Sequence, residues 1–233
     1  MKRLFTPVIA LVVFFTALAT APQQQANGQS AGLVSSVLAK LQKNHDTLKT
    51  LRASVRMQKY DAHLRENDDY YGAILYMPGV GKNASLRLEW SKPQHEILGV
   101  LNGEYTLYRP GIGAVYKGST RKKGPATDNE IIDMLKMSST ELQNRFQPFE
   151  DARDESLGDG VTATHLKLIP IKATSFKYAE VWVDSAGMPV QLKIVEKNGD
   201  ATTIRLTNLE RNRPLSAGDL AVKYPASAKI IRG

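Results

Sequence analysis

The sequence has no cysteine among its 233 residues. This excludes a thiol nucleophile, a stabilising disulfide and an acylated cysteine of the kind that anchors a lipoprotein. Histidine is scarce as well, and His45, His63, His95 and His165 stand far apart, in neither an HExxH nor an HxH spacing. We therefore predict no catalytic residue, no metal site and no cofactor, and expect a protein that is not an enzyme.

Acidic residues are in deficit. The chain carries 31 lysines and arginines against 23 aspartates and glutamates, a formal net charge of +8. A basic surface suits nucleic acid, anionic lipid or an acidic partner. The densest basic run is Arg121-Lys122-Lys123, which is typical of a solvated loop, with a binding patch as the alternative.

The N-terminus carries the features of an export signal. Lys2 and Arg3 precede an apolar stretch over residues 4–18, and Ala17-Leu18-Ala19 has the small-x-small form of a signal-peptidase site. The alternative is an anchor that is never cleaved, but the stretch is shorter than the roughly 20 residues that span a bilayer. We predict a signal peptide at 1–19, a flexible polar leader at 20–30, a single domain at 31–233 and export to the periplasm, which argues against a nucleic-acid partner.

The middle of the chain alternates between apolar and polar residues. In residues 70–118, Leu86, Leu88 and Trp90 fall on one face of a predicted strand, whereas Arg87 and Glu89 fall on the other. Asn102-Gly103 separates two such runs and favours a type I′ hairpin, which needs positive φ at both central residues. The segment therefore predicts consecutive antiparallel strands.

One helix precedes the predicted strands, and two short helices interrupt them. Residues 32–49 carry one apolar stripe and predict a helix with Ser30 as its N-cap. Two short helices are predicted at 128–137 and 139–146, the second with Ser138 and Glu141 at capping-box spacing. Residues 149–160 are predicted to be an acidic loop. The remaining strands are predicted at 52–64, 162–169, 177–184, 188–197, 201–209 and 220–224, with a turn at 65–69.

This pattern predicts a mainly β protein with helices (α+β), built on a strongly curved antiparallel sheet of about eleven strands. Such a sheet tends to curl toward a barrel and can enclose an apolar cavity. The alternative is that the helices seal a dry, filled core. The predicted cavity residues are Leu88, Trp90, Leu98, Val100, Leu107, Val183, Leu192, Ile194, Ile204 and Leu206. The short helices would form a lid through Ile131, Ile132, Leu135 and Leu142.

The order and spacing of these segments resemble the periplasmic outer-membrane lipoprotein carrier family (LolA-type). The likeness rests on LRASVRMQKY at 51–60, GAILYMP at 72–78, the strand at 86–90 ahead of Pro93, the strand–turn–strand at 94–108 and LAVKYP at 220–225. It covers nearly all of the chain after the signal peptide.

The resemblance implies a half-open barrel closed by a helical lid. Its cavity would receive the acyl chains of lipoproteins released by an inner-membrane ABC-type complex and pass them to an outer-membrane acceptor. The family arginine that holds the lid is replaced by Met77, so Arg87 is the candidate for that contact. We expect a monomer. The alternatives are a carrier or sensor of another lipid, and a protein-binding or regulatory domain with no open cavity.

Overall fold

The computed structural model describes residues 24–79, 84–120, 130–149, 152–158 and 160–232, with side chains from residue 31 onward. The predicted signal peptide, the first part of the leader and the run Arg121-Lys122-Lys123 lie outside the described residues. Within the described residues, no helix is both long and apolar enough to cross a membrane.

The described chain forms four α-helices, a short 3₁₀ helix at Pro110–Ile112 and twelve strands. The α-helices are α1 (Gln24–Thr47), α2 (Glu130–Lys136), α3 (Ser139–Arg145) and α4 (Ala217–Leu220). The strands are β1 (Leu51–Asp61), β2 (Glu66–Met77), β3 (Ser85–Lys92), β4 (Glu96–Leu101), β5 (Glu104–Arg109), β6 (Ala114–Ser119), β7 (Arg153–Ser156), β8 (Thr162–Leu168), β9 (Phe176–Asp184), β10 (Pro189–Glu196), β11 (Ala201–Arg211) and β12 (Lys229–Arg232).

All twelve strands belong to one curved, unclosed sheet in the order β12-β6-β5-β4-β3-β2-β1-β11-β10-β9-β8-β7. Neighbouring strands are antiparallel except for β12, which runs parallel to β6. The predicted fold class and the half-open, curved antiparallel sheet are confirmed, with twelve strands where about eleven are expected. The predicted hairpin is also present, because Asn102 and Gly103 have φ of 53° and 78°.

The core lies on one face of this sheet, beneath the helices. Along β1, Leu51, Val55 and Met57 are buried, while Arg56 between them is exposed. The same alternation in the neighbouring strands makes an apolar sheet face. α1 covers part of this face through an apolar stripe that includes Leu41, which is almost completely buried. The helix packs because its stripe and the sheet face remove each other from water.

The tight turn between β9 and β10 packs directly against the backbone of α1. Gly187, in the β9–β10 turn, has φ of +84°, and a Cβ atom there would overlap the backbone carbonyl of Lys40 in α1. We expect Gly187→Ala to lower the free energy of unfolding by about 2 kcal/mol, because it adds both φ strain and this overlap. Chemical denaturation measures the change.

Gly158→Ala is the matched control for the turn. Gly158 has nearly the same φ, +83°, but a Cβ atom added there would have nothing within 4 Å of it. This variant carries only the strain of a left-handed alanine, so it should cost less than Gly187→Ala. Equal costs at the two sites would mean that the contact with α1 contributes nothing.

The structure corrects four predicted boundaries. α1 begins at Gln24, so Ser30 lies inside the helix and is not its N-cap. β1 ends at Asp61 and the turn is at residues 62–65, not at 65–69. The predicted acidic loop contains β7, and the predicted strand at 220–224 is instead the end of α4 followed by an irregular segment.

The segment after α4 packs on the sheet face opposite the main core. Leu220 is buried there, and Val222 lies so close to Gly99 that a Cβ on Gly99 would be 2.6 Å from its Cγ2 atom. Tyr224 continues the contact with its ring centroid 6.1 Å from that of Tyr108. The alternation of Leu220, Val222 and Tyr224 thus reflects packing on the sheet and not a strand ladder.

Candidate functional site

α2 and α3 cover a part of the apolar sheet face, over strands β8 to β10. In α2, Ile131 and Leu135 are buried and Ile132 is partly buried against the core. In α3, Leu142 is 1% exposed. The four residues predicted for the lid therefore all contact the core. Each helix has only seven residues, too few to be stable alone, so packing on the sheet holds both in place.

Polar contacts position α3 at both of its ends. The hydroxyl of Ser138 caps the helix by accepting from the Glu141 backbone N–H at 3.2 Å. The Ser139 hydroxyl donates to Gln42 Oε1 of α1 at 2.7 Å. Beyond the helix, Gln147 N–H donates to the Ile169 carbonyl at 2.8 Å. These are few contacts, and most are at the helix ends, so α3 is held less firmly than a strand within a ladder.

A cavity of about 80 Å³ lies between α2, α3 and strands β8 to β10. It is lined mainly by apolar side chains, with Asp133, Glu141 and Arg145 as the polar exceptions; the apolar lining is Met137, Leu142, Phe146, Leu168, Phe176, Ala179, Leu192 and Ile194. Pockets for drug-sized ligands are roughly 300–1,000 Å³. The cavity admits a few methylene groups, and a complete acyl chain fits only if the lid helices move.

The ten residues predicted to form a cavity lie in one apolar cluster. Eight of them are buried, and Trp90 and Ile194 are partly buried against the same cluster. Only Leu192 and Ile194 line the cavity itself, together with the lid residue Leu142. The others fill the space between sheet and helices. That an acyl chain binds against these residues stays a prediction.

Arg87 does not face the lid. It lies between Leu86 and Leu88, which are both buried in the core, so strand alternation places it on the opposite face. There its guanidinium donates to Glu89 Oε2 at 2.6 Å. The lid contact predicted for Arg87 is therefore wrong, because its face of β3 is separated from α2 and α3 by the sheet.

Sequence reasoning missed several lining residues. Leu168 is two residues from Leu166 on the inward face of β8, so the period of two is a signal that identifies it. Phe176 begins β9 one residue before the predicted start of that strand. Phe146 follows α3, and its ring centroid is 6.4 Å from that of Phe176. No local pattern brings these two rings together; the lid and the sheet do so only in the folded chain.

The interior offers little besides apolar surface. Among the described residues, the buried polar side chains are those of Asn44, Thr50 and His165, and Thr50 donates its hydroxyl to the Arg213 carbonyl at 2.6 Å. Burial raises the pKa of Tyr76 to about 12, so this phenol is neutral. No group of three or more His, Asp or Glu suited to a metal ion occurs in the described part of the chain.

A polar cluster on the sheet face away from the core holds β7, the edge strand that follows α3 in the chain. Glu155 of β7 accepts from Trp182 Nε1 at 2.7 Å and from Arg153 Nε at 2.7 Å. His165 stacks on Trp182 and lies 3.5 Å from both Glu155 and Glu180. The Trp182 hydrogen bond, followed by Arg153 and His165, outweighs desolvation and holds the pKa of the Glu155 carboxyl below its ordinary value of 4.5.

This lowered pKa predicts an acid-sensitive edge. The stabilisation by ionised Glu155 is complete above about pH 4.5 and is lost as the pH falls through the lower folded-state pKa. Unfolding free energies measured by denaturation from neutral pH downward should therefore fall less steeply in Glu155→Gln than in the native chain. Trp182→Phe, which removes the donor and keeps the carboxylate, should flatten the profile in the same direction. Profiles parallel to the native one in both variants would contradict this assignment.

Three comparisons place this architecture among known proteins. The model of the family described as "Outer membrane lipoprotein carrier protein LolA" matches residues 85–220, more than half of the chain. No curated protein matches the chain. Among solved structures, an uncharacterized conserved protein from Thermus thermophilus aligns with a TM-score of 0.55 at 13% identity, over 86% of this chain and 99% of that one. This likeness shows the same fold.

Two further solved structures are similar at lower scores. A LolA superfamily protein from Nitrosomonas europaea aligns with a TM-score of 0.42 at 11% identity, over 81% of this chain and 97% of that one. LprF from Mycobacterium bovis aligns with a TM-score of 0.49 at 13% identity, over 80% of this chain and 96% of that one.

Proposed function

The chain belongs to the LolA family of outer membrane lipoprotein carrier proteins, and from this premise we propose that it shields the acyl chains of lipoproteins during their transfer between membranes. The site proposed is the apolar sheet face beneath α2 and α3. The reaction is binding and release, with no covalent step. We propose that the ten predicted cavity residues and the four lid residues contact the acyl chain.

One observation carries the proposal. The small apolar cavity lies at the junction between two seven-residue helices and a curved apolar sheet. Displacing those helices extends the cavity across the sheet face without unfolding any strand. Each buried methylene gains about 0.8 kcal/mol. Acyl chains of lipoprotein length therefore offset the cost of opening a lid that packs through few residues.

Family membership also supports proposals on the processing, location and partners of the protein. We propose that residues 1–19 are removed on export, that residues 31–233 act in the periplasm as a single domain and that the carrier is a monomer. The donor would be the inner-membrane ABC-type lipoprotein release complex, and the acceptor a protein of the outer membrane. The same cavity would serve a free lipid, so the identity of the cargo is part of the test.

The filled interior supports a second candidate, a protein-binding domain with the same fold and no lipid cargo. Eight of the ten predicted cavity residues are already buried by their neighbours, and the cavity is about 80 Å³. A protein-binding domain would use its outer surface and leave this core closed.

Binding of a synthetic lipopeptide separates the two candidates. We expect the purified protein to bind a fluorescent triacylated peptide and to bind the same peptide without acyl groups at least 100-fold less tightly, because the acyl chains supply the apolar area. Mass spectrometry of material extracted with the protein from its native envelope would then identify the cargo. Equal affinity for both peptides would reject the carrier, and release of free fatty acid from the probe would indicate an enzyme.

A further inference from the structure

Large aliphatic side chains are exposed at only one end of the described sheet. The turn between β1 and β2 exposes Leu64 by 62%, and the 3₁₀ helix between β5 and β6 exposes Ile112 by 67%. The loop between β8 and β9 exposes Ile169 and Ile171 by 42% and 55%. Ile230 is the fifth exposed aliphatic residue of the described chain, and it pairs with Val115 near the start of β6, at this same end. Exposed aliphatic side chains that gather at one end of a sheet indicate a candidate interaction surface.

The strand pairings show that these segments share one end. Adjacent strands are antiparallel, so successive turns alternate between the two ends of the sheet. The segments 62–65, 93–95, 110–113, 169–175 and 197–200 all fall at the same end; together they are called the loop rim. A direct contact joins two of them, because Ala62 N–H donates to Asp200 Oδ1 at 2.9 Å.

The apolar tips are evenly spaced along the rim. In the strand order, Leu64 lies four strand spacings from Ile112 on one side and four from Ile169 and Ile171 on the other. At about 4.8 Å per spacing, each interval is roughly 20 Å along the sheet. A bilayer surface is broad enough to contact all of the tips together, whereas a small ligand would engage one.

The charge on the loop rim favours an anionic surface. Its five segments contain three basic residues, Arg65, Lys172 and Lys197, and one acidic residue, Asp200. Both oxygens of Asp200 already accept hydrogen bonds, from Ala62 N–H and from Asn198 Nδ2. Within two residues of these segments, the basic side chains of Lys92, Arg109, Lys167 and Lys177 are balanced by the acidic side chains of Asp61, Glu66, Glu96 and Glu196. The excess of basic side chains within the five segments, beside the aliphatic tips, complements anionic lipid head groups.

The backbone holds the tips outward. Asp61 Oδ1 accepts from the N–H groups of His63 and Leu64, both at 2.8 Å, which fixes the β1–β2 turn. The last residue of α3 fixes the β8–β9 loop, since Ile171 N–H donates to the Arg145 carbonyl at 2.9 Å. Rigid tips lose little conformational entropy on binding.

We propose that the loop rim docks on an anionic bilayer surface, with Leu64, Ile112, Ile169 and Ile171 inserted among the head groups and Arg65, Lys172 and Lys197 beside the lipid phosphates. The rim also adjoins the lid cavity, because Leu168 and Phe176 line that cavity and flank the β8–β9 loop. Docking through this end would bring the cavity to the membrane. The docking itself does not depend on what the cavity carries.

Vesicle flotation tests the proposal with the whole protein. We expect binding to vesicles of phosphatidylglycerol and phosphatidylethanolamine at low salt, and much weaker binding to pure phosphatidylcholine. Ile169→Ser and Leu64→Ser should each weaken binding roughly tenfold, because each removes an aliphatic side chain from the head-group region. Lys172→Glu should weaken it to a similar degree. These residues are exposed, so the variants should remain folded.

Lys49→Glu is the matched control. Lys49 is exposed at the opposite end of the sheet, just before β1, so the same change in charge there should leave binding within about twofold of native. A tryptophan in place of Ile112 should be quenched by lipids brominated on their acyl chains, whereas a tryptophan in place of Lys49 should not.

Three results would overturn the proposal: no binding by the native chain, unchanged binding by the rim variants, or equal loss in Lys49→Glu. Self-association abolished by the rim substitutions, without vesicle binding, would assign the rim to a contact between two copies of the chain. The vesicles contain no lipoprotein, so failure here leaves the carrier proposal standing, and failure of lipopeptide binding leaves the docking result standing.

Discussion

Cross-linking α3 to α1 is expected to abolish lipopeptide binding while the protein keeps its native fold. Gln42 Oε1 and Ser139 Oγ are 2.7 Å apart, so cysteines at these two positions are within reach of a short bis-methanethiosulfonate linker. The chain has no other cysteine, so the linker reacts at these two sites alone. A lid fixed in place keeps the cavity at about 80 Å³, too small for an acyl chain. We expect affinity to fall by about 100-fold or more and to recover when a reductant removes the linker.

A second cross-link controls for the chemistry. Gln58 and Asp69 are direct partners in the β1–β2 ladder, with Gln58 Nε2 donating to Asp69 Oδ1 at 3.3 Å, and they lie on the face away from the lid. Linking cysteines at these two positions leaves the lid free and should leave binding unchanged. Native affinity in the Gln42–Ser139 cross-linked protein would show that cargo does not pass beneath α3, and would favour the protein-binding alternative.

Much of this sheet is predictable from the sequence because its elements are locally encoded. Alternation identifies the strands whose one face is buried, and the requirement for positive φ identifies the hairpin at Asn102-Gly103. The lid helices are equally local, since Ser138 supplies the cap of α3 at the predicted position. These signals depend on neighbouring residues alone.

The elements that sequence reasoning missed depend on distant partners. β7 has no apolar alternation, and it forms because it pairs with β8 and because Glu155 reaches across β8 to Trp182 of β9. β12 pairs in parallel with β6, more than a hundred residues earlier in the chain. No pattern within four-residue strands specifies such partners.

The residues of the candidate site also fall into two groups, those that local alternation identifies and those that only the folded chain brings together. Alternation places Leu192 and Ile194 on the inward face of β10, and both line the cavity. The same rule, applied to β3, excludes Arg87 from that face. The lid contact predicted for Arg87 came instead from the resemblance to a family in which an arginine holds the lid. Phe146 and Phe176 meet only when α3 folds over the sheet, so no window of sequence contains that contact.

Replacing Ile194 with aspartate should remove acyl-chain binding while the chain stays folded. Ile194 lines the cavity and is partly exposed, whereas Leu98 is 6% exposed and a charge there would unfold the domain. In the free protein, the Ile194→Asp carboxylate can remain hydrated through the cavity. An acyl chain would have to displace the water that hydrates this carboxylate, so we expect affinity for the triacylated peptide to fall about 100-fold. Fluorescence titration measures the affinity.

Lys193→Gln is the control at the neighbouring position. Lys193 points to the opposite face of β10, where its Nζ atom is 3.6 Å from Glu180 Oε2, and glutamine avoids placing a second carboxylate beside that residue. The variant removes a charge of the sheet without altering its apolar face, so acyl binding should stay within about twofold of native. Denaturation curves must first show that both variants retain native stability to within about 1 kcal/mol. If folded Ile194→Asp then binds the lipopeptide as tightly as Lys193→Gln does, the acyl chain does not lie against β10, and the cavity beneath α2 and α3 is not the binding site.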